Sequence, residues 1–339
     1  MKPLDWHGPS FAALLSERTR LPHALLLRGP RGIGKMAFAQ ALSQALLCEE
    51  PADGAYACGT CTACVWFESA SHPDYREIEP LGATERINEE EDDRKASDKK
   101  ATSISVDQIR MLPEFINISS HRGGPKVIVI HPAETLNINA GNALLKNLEE
   151  PPPRTHFMLV THRPQQLLPT IKSRCSQIAL ATPDSTVAAA WLGQKGVRTP
   201  DLALAHAGGA PLLAAELSNS DYWQTRAAFM RHLTARDFDA LAAAEAVRDL
   251  PLPHVVSWLQ KWSYDLAYYR SVGQVRYNPD HLEAIARTAL HVDPLVTLRF
   301  HREMVKTQRI VHHPLNARLF IEQLLLAYGD VVQPRGVPA

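Results

Sequence analysis

The apolar positions of this chain change period partway along it. Short, largely apolar runs at 23–27, 126–130, 155–160 and 177–180 alternate with longer stretches, 36–47 and 137–148, where apolar residues recur at helical spacing. The short runs predict strands buried on both faces, and the longer stretches predict helices. Strands alternating with helices imply an α/β domain with a mostly parallel sheet covered on both sides. Ser105 and Gln108 have the spacing of a capping box, and Ile104 and Ile109 that of a hydrophobic staple. A helix is therefore expected to begin near Val106, with Pro113 kinking or ending it. The triple proline Pro151-Pro152-Pro153 stops the helix over 137–148.

Beyond Thr182-Pro183 the strand pattern ends. Alanine and leucine dominate, with breaks at Gly208-Gly209-Ala210-Pro211 and at 251–253. Val255, Trp258, Leu259, Trp262, Leu266 and Tyr269 fall on one side of a 3.6-residue period, and 319–328 is a second strongly apolar helical stretch. Both read as core faces of an all-helical bundle. The stretch 85–102 carries charges of both signs and almost nothing apolar, and reads as a solvated, mobile surface insertion.

Composition narrows the function classes. A chain of 339 residues, 45% hydrophobic and 21% charged, is long enough for two or three globular domains. Its 36 basic residues balance 36 acidic ones, which argues against gripping nucleic acid through an overall positive field. Any DNA contact is expected to be shared with partners. No signal-like apolar region follows Met1 and no run nears the ~18 residues that span a bilayer, so a cytoplasmic place without a membrane partner is expected. Five cysteines there stay reduced, and their spacing is first a question of metal or packing.

Candidate chemistry begins at Gly29-Pro30-Arg31-Gly32-Ile33-Gly34-Lys35-Met36. In the motif G-x-x-x-x-G-K-[ST], backbone N–H groups around the glycines cradle phosphates, lysine reaches the terminal phosphates, and the last hydroxyl holds Mg²⁺. The strand before and helix after supply the setting the motif needs. Gly29, Gly32, Gly34 and Lys35 can still take a phosphate, but Met36 has no hydroxyl. ATP binding is left open and the metal for phosphoryl transfer loses a ligand. The strand at 126–130 should end in an acid in a working ATPase; here it ends in His131-Pro132. Glu134 lies beyond the strand end and reads as a solvated or helix-capping residue, with a substitute metal ligand as the competing reading.

Cys58, Cys61 and Cys64 form C-x-x-C-x-x-C, with Cys48 just upstream. Four thiolates so close in sequence can converge on one tetrahedral structural Zn²⁺ with no open position for catalysis. Buried thiols, a redox pair and an iron–sulfur cluster are the rival readings. Arg174 in Ser173-Arg174-Cys175 reads by itself as a surface ion pair.

Together, 23–35, the three-cysteine motif, Ser71-His72-Pro73-Asp74, the Asn142-to-Pro152 segment NALLKNLEEPP and Ser173-Arg174-Cys175 resemble bacterial clamp-loader subunits of the AAA+ class. The resemblance implies an AAA+ P-loop domain over 1–182 with a zinc-bearing insertion at 48–64. It also implies a small helical lid over 183–222 and a helical collar over 223–339, while 85–102 falls outside the common pattern. A degenerate loop beside a retained Ser-Arg-Cys implies a ring subunit that does not hydrolyse ATP and offers Arg174 in trans as an arginine finger. Thr161-His162-Arg163-Pro164 falls at the first sensor, and Ala210-Pro211-Leu212-Leu213 opens the second sensor helix without its arginine. The implied partners are gamma/tau and delta subunits in a hetero-pentameric ring, the sliding clamp, and primer-template DNA as part of the complex. The alternatives are an ATP-hydrolysing motor subunit of the same family, or a zinc-containing DNA-binding module on a relic P-loop fold.

Overall fold

The structure is a computed structural model that describes residues 1–52, 55–81, 103–218, 220–311 and 316–333. The charged stretch 85–102 lies outside the described residues. The chain divides into two compact units, Met1–Asp184 and Ser185–Ala339.

The first unit is built on a parallel sheet of β1 (Ala24–Arg28), β2 (Tyr75–Ile78), β3 (Lys126–Ile130), β4 (Thr155–Thr161) and β5 (Ser176–Ala179). Its order is β2-β3-β4-β1-β5. Leu26 stands opposite Leu159 on one side and Gln177 on the other, and Ile128 opposite Phe157. The apolar runs of β1, β3 and β4 are buried almost throughout, because helices cover both faces of the sheet. Those helices include α1 (Gly8–Ser16), α2 (Lys35–Leu47), α3 (Thr62–Glu68), α4 (Val106–Arg110), α5 (Leu112–Asn117), α6 (Ile138–Glu149) and α7 (Pro169–Arg174).

Local sequence explains several of these boundaries. At α4 the Ser105 side chain accepts the Gln108 N–H while the Gln108 side chain accepts the Ser105 N–H, a complete capping box. Ile104 and Ile109 are both buried in the core below. The helix begun at Val106 ends early: α4 stops at Arg110, and Pro113 sits in the first turn of α5, where its missing N–H costs no helical bond. β2 has no apolar run to announce it. It is an edge strand, so Arg76 and Glu77 face outward and only Ile78 is buried.

In the second unit the regular elements of the described residues are helical. α8 (Ser185–Gln194), α9 (Pro200–His206) and α10 (Pro211–Glu216) share a small core of Ala188, Leu192, Ala203, Leu204 and Ala214. A larger core gathers residues from α11 (Ser220–Leu233), α12 (Ala240–Ala246), α13 (Leu252–Val272), α14 (Leu282–His291), α15 (Pro294–Ile310) and α16 (Ala317–Val332). Val255, Trp258, Leu259, Trp262 and Leu266 are buried there, as their period predicts. The two indoles spend their N–H groups on hydroxyls: Trp258 donates to Tyr222 and Trp262 to Tyr328, each at 2.7 Å. Trp223 packs against both cores. Among the described residues no helix is long and apolar enough to cross a membrane.

Candidate functional site

β1 delivers the chain into the phosphate loop at the C-terminal edge of the sheet, and α2 begins at Lys35. Gly29 and Gly34 take positive φ, 153° and 95°, and both are hemmed in. A Cβ at Gly29 would run into the Leu180 carbonyl oxygen, and one at Gly34 into the Leu4 side chain. Neither glycine position has room for a side chain, and the loop's lysine is turned inward. Lys35 is only 2% exposed and its ammonium donates to the Pro30 carbonyl of its own loop. Burial lowers its pKa to about 8, partly opposed by the charge of Glu134. The N-terminal segment closes on the same loop: the Trp6 indole N–H donates to the Ile33 carbonyl at 3.0 Å, and His7 Nε2 lies 2.8 Å from that oxygen. Nothing local in the sequence announces these contacts, because the partners are 27 and 26 positions apart.

Beyond β3, where a working site needs an acid, the His131 ring packs edge-on against His162 with centroids 5.3 Å apart. Burial first, then the charges of Lys35, His131 and Arg31, push the pKa of His162 down to about 3, and burial also lowers that of His131. Glu134 corrects the expectation of solvation or helix capping. It is half-buried, and its two carboxylate oxygens accept the His162 N–H at 3.1 and 3.2 Å, just past the end of β4. The short 3₁₀ turn Ala133–Thr135 carries it back toward the sheet. Its lone pairs thus pin a neighbouring strand's exit. Thr161, at the first-sensor position, is fully buried, and its hydroxyl oxygen accepts the Arg163 N–H at 3.1 Å.

The cysteines converge. Cys48 caps the C-terminus of α2, Cys61 caps the N-terminus of α3, Cys64 lies in its first turn and Cys58 in the loop before it. Cys48 Sγ is 3.6 Å from Cys58 Sγ and 3.9 Å from Cys61 Sγ, and Cys58 Sγ is 3.9 Å from Cys64 Sγ. All four sulfurs lie within 4.8 Å of one another. A tetrahedron of sulfurs at ~2.3 Å from a central Zn²⁺ has edges of about 3.8 Å, so the thiols are spaced for a metal ion rather than for a disulfide. Backbone N–H groups of Thr60 and Cys61 donate to Cys58 Sγ at 3.4 and 3.3 Å, and that of Cys58 donates to Cys48 Sγ at 3.3 Å. The Thr60 and Cys61 donors lower the Cys58 pKa to about 6, while burial raises the thiols of Cys48 and Cys64. Cys175 lies apart from the cluster, buried in the sheet's core, its pKa raised to about 11 by burial.

Arg174 ends α7, with a side chain 34% exposed. It pairs with Glu149, the last residue of α6, and donates to the Thr170 carbonyl at 3.0 Å. The guanidinium belongs neither to the phosphate loop nor to the thiol cluster.

This strand order, with a phosphate loop after β1, which lies between β4 and β5, and a helical unit following, defines a P-loop protein of the AAA+ type, here without the hydroxyl at 36 or an acid directly after β3. Residues 11–184 match the family described as DNA polymerase III, delta subunit, and residues 220–329 match DNA polymerase III, delta subunit, C terminal. The chain is 38% identical over 263 residues to DNA polymerase III subunit delta' of Pseudomonas aeruginosa, covering 76% of this chain and 75% of that one. It is 31% identical over 346 residues to the same subunit of Escherichia coli, covering 98% and 97%. A solved DNA polymerase III gamma subunit-related protein from Thermotoga maritima aligns over 89% of this chain and 99% of its own at 17% identity, with a TM-score of 0.38. The chain belongs to the DNA polymerase III delta' family.

Proposed function

We propose that this chain is a non-hydrolysing subunit of a clamp-loader ring that assembles with gamma/tau and delta subunits and helps place the sliding clamp on primer-template DNA in the cytoplasm. The observation that carries the reading is a contrast between two cations. Lys35, which would serve the chain's own phosphate loop, is buried against Pro30. Arg174 is partly exposed at a helix end, held by the carboxylate of Glu149. A neighbouring subunit's nucleotide can take Arg174 from Glu149, since a polyphosphate offers the guanidinium more charge and more acceptor oxygens than a half-exposed carboxylate. In that role Arg174 would stabilise charge on the transferring phosphoryl group, an effect of ~10³–10⁵ in rate.

The four thiols fit Zn²⁺ by distance and donor set; bound there by Cys48, Cys58, Cys61 and Cys64, it would tie the end of α2 to α3 and supply no open site for chemistry. Within the second unit, the two apolar cores support a lid over 183–222 and a collar over 223–339, meeting near Trp223. The engagement of Glu134 by the His162 backbone counts against a motor subunit with substitute metal ligands.

The reading is tested by ATPase assays on the purified chain and on the reconstituted ring. The chain alone is expected to show no turnover. Arg174→Ala in the ring is expected to slow hydrolysis at the adjacent motor site by ~10³-fold or more in single turnover, with assembly intact. Sustained turnover by the lone chain, or an unaffected ring, overturns it.

A further inference from the structure

At the opposite edge of the first unit's sheet, where the strands begin, two recesses of about 670 and 380 Å³ lie side by side and share a wall. Both are lined by Pro152, Pro153, Arg154 and Thr155, the chain entering β4. The larger also takes in Arg18, His23 and His156; the smaller continues along Ser119, Ser120, Gly123 and Gly124 to Lys126. Among the described lining residues there is no carboxylate, although the chain as a whole is neutral. The arginines are fixed by backbone carbonyls. Arg18 donates to Leu46 O at 2.8 Å, and Arg154 donates through Nη1 to Gly123 O at 2.7 Å. One donor of each guanidinium is thereby used to orient it, and among the described residues neither is paired with a carboxylate. Lys126 differs, being paired with Asp74 at 3.4 Å.

We propose that this groove holds the sugar-phosphate backbone of single-stranded DNA, independently of sequence. Oriented guanidiniums, serine hydroxyls and glycine backbone are the groups that contact phosphate oxygens, and none of them reads a base edge here. A recess of a few hundred Å³ admits one strand, whereas a duplex would rest on its rim. No Phe, Tyr or Trp lines it, so stacking is limited to the imidazoles of His23 and His156 and the proline rings. Affinity must then come from phosphate contacts, and must fall steeply with salt. Only the choice of DNA as the polyanion rests on the proposed function; the charge argument stands on the groove.

The experiment is fluorescence anisotropy of a labelled oligothymidylate titrated with the full chain at several salt concentrations. Binding is expected at low salt, with log K falling linearly in log salt. The double variant R18Q/R154G removes two phosphate contacts. It should lower affinity about tenfold or more at low salt and reduce the slope by about 1.4. Arg154 sits at φ 58°, where glycine is at ease, so this substitution removes charge without straining the turn. R18K/R154K should restore most of the slope. No binding by the intact chain at low salt, an unchanged slope in R18Q/R154G, or displacement by polyglutamate as readily as by unlabelled oligothymidylate overturns the proposal, the last in favour of an acidic polypeptide. Oligonucleotide binding in a ring whose ATPase ignores Arg174 would sink the proposed function and leave the groove standing. The reverse pair of results would sink the groove alone.

Discussion

Burial decides the charge state of the polar residues that matter most. Lys35 loses its water and gains one carbonyl, and its pKa falls to about 8. Restoring the missing hydroxyl should therefore not restore an enzyme. Met36→Thr repairs the motif, yet the strand end still offers His131-Pro132, and the ammonium still faces its own loop; phosphate release from ATP is expected to stay at background. His206 gives a pH signature. It is fully buried, its Nε2 lies 2.8 Å from the Tyr222 hydroxyl, and burial, with Lys261 and Arg226 adding to it, lowers its pKa to about 2. In the unfolded chain it takes a proton near ~6.5. Between those values the unfolded state binds the extra proton, so stability falls as pH drops below ~6.5, by about 1.4 kcal/mol per pH unit for this one group. His206→Gln keeps a polar partner for Tyr222 and should remove that share of the slope in urea midpoints measured from about pH 6 to about pH 4. An unaltered slope would mean that His206 is protonated in the folded protein.

At the scale of elements, a helix start can be tested where the sequence states it most completely. Ser105→Ala breaks the capping box at α4 and should cost ~1 kcal/mol, read as a shift in denaturation midpoint without a change in slope. The same box shows why much of the fold is legible. Capping uses residues three apart, and β1, β3 and β4 are buried on both faces, so their signals are local and continuous. β2 is not legible, since an edge strand buries one residue in four and its Tyr-Arg-Glu-Ile carries no apolar run. The candidate site divides along the same line. The glycines and the cysteines are read from spacing, and the structure brings the four thiols together. Glu134 is not: its partner, the His162 N–H, is 28 positions away on another strand's exit, and only the sheet order brings the two together. Arg174 lies between these cases, since its position on a short helix is local while its hold on Glu149 depends on α6 ending beside α7.

For the whole molecule, the two units have separate cores, and the thiol cluster belongs to the first alone. The four cysteines stand where the end of α2 meets α3, and α2 is also the helix that the phosphate loop enters. Apolar packing around the cluster is thin, with Ala63 and Ala57 beside the sulfurs, so a metal ion would replace a core there. Elemental analysis of reduced protein is expected to find one Zn²⁺ per chain, and Cys61→Ser to lose it. The consequence should be regional. On removal of the metal by chelator, hydrogen exchange is expected to speed up at the amides of 48–68 and at the C-terminal turns of α2. The buried helix α13 of the second unit, with Trp258 and Trp262 in its own core, should keep its protection. Exchange that rises equally in α13 would show the metal bracing the whole chain. Exchange that rises nowhere would show that the sulfurs hold their places by packing, and that the metal reading has mistaken a small thiol core for a site.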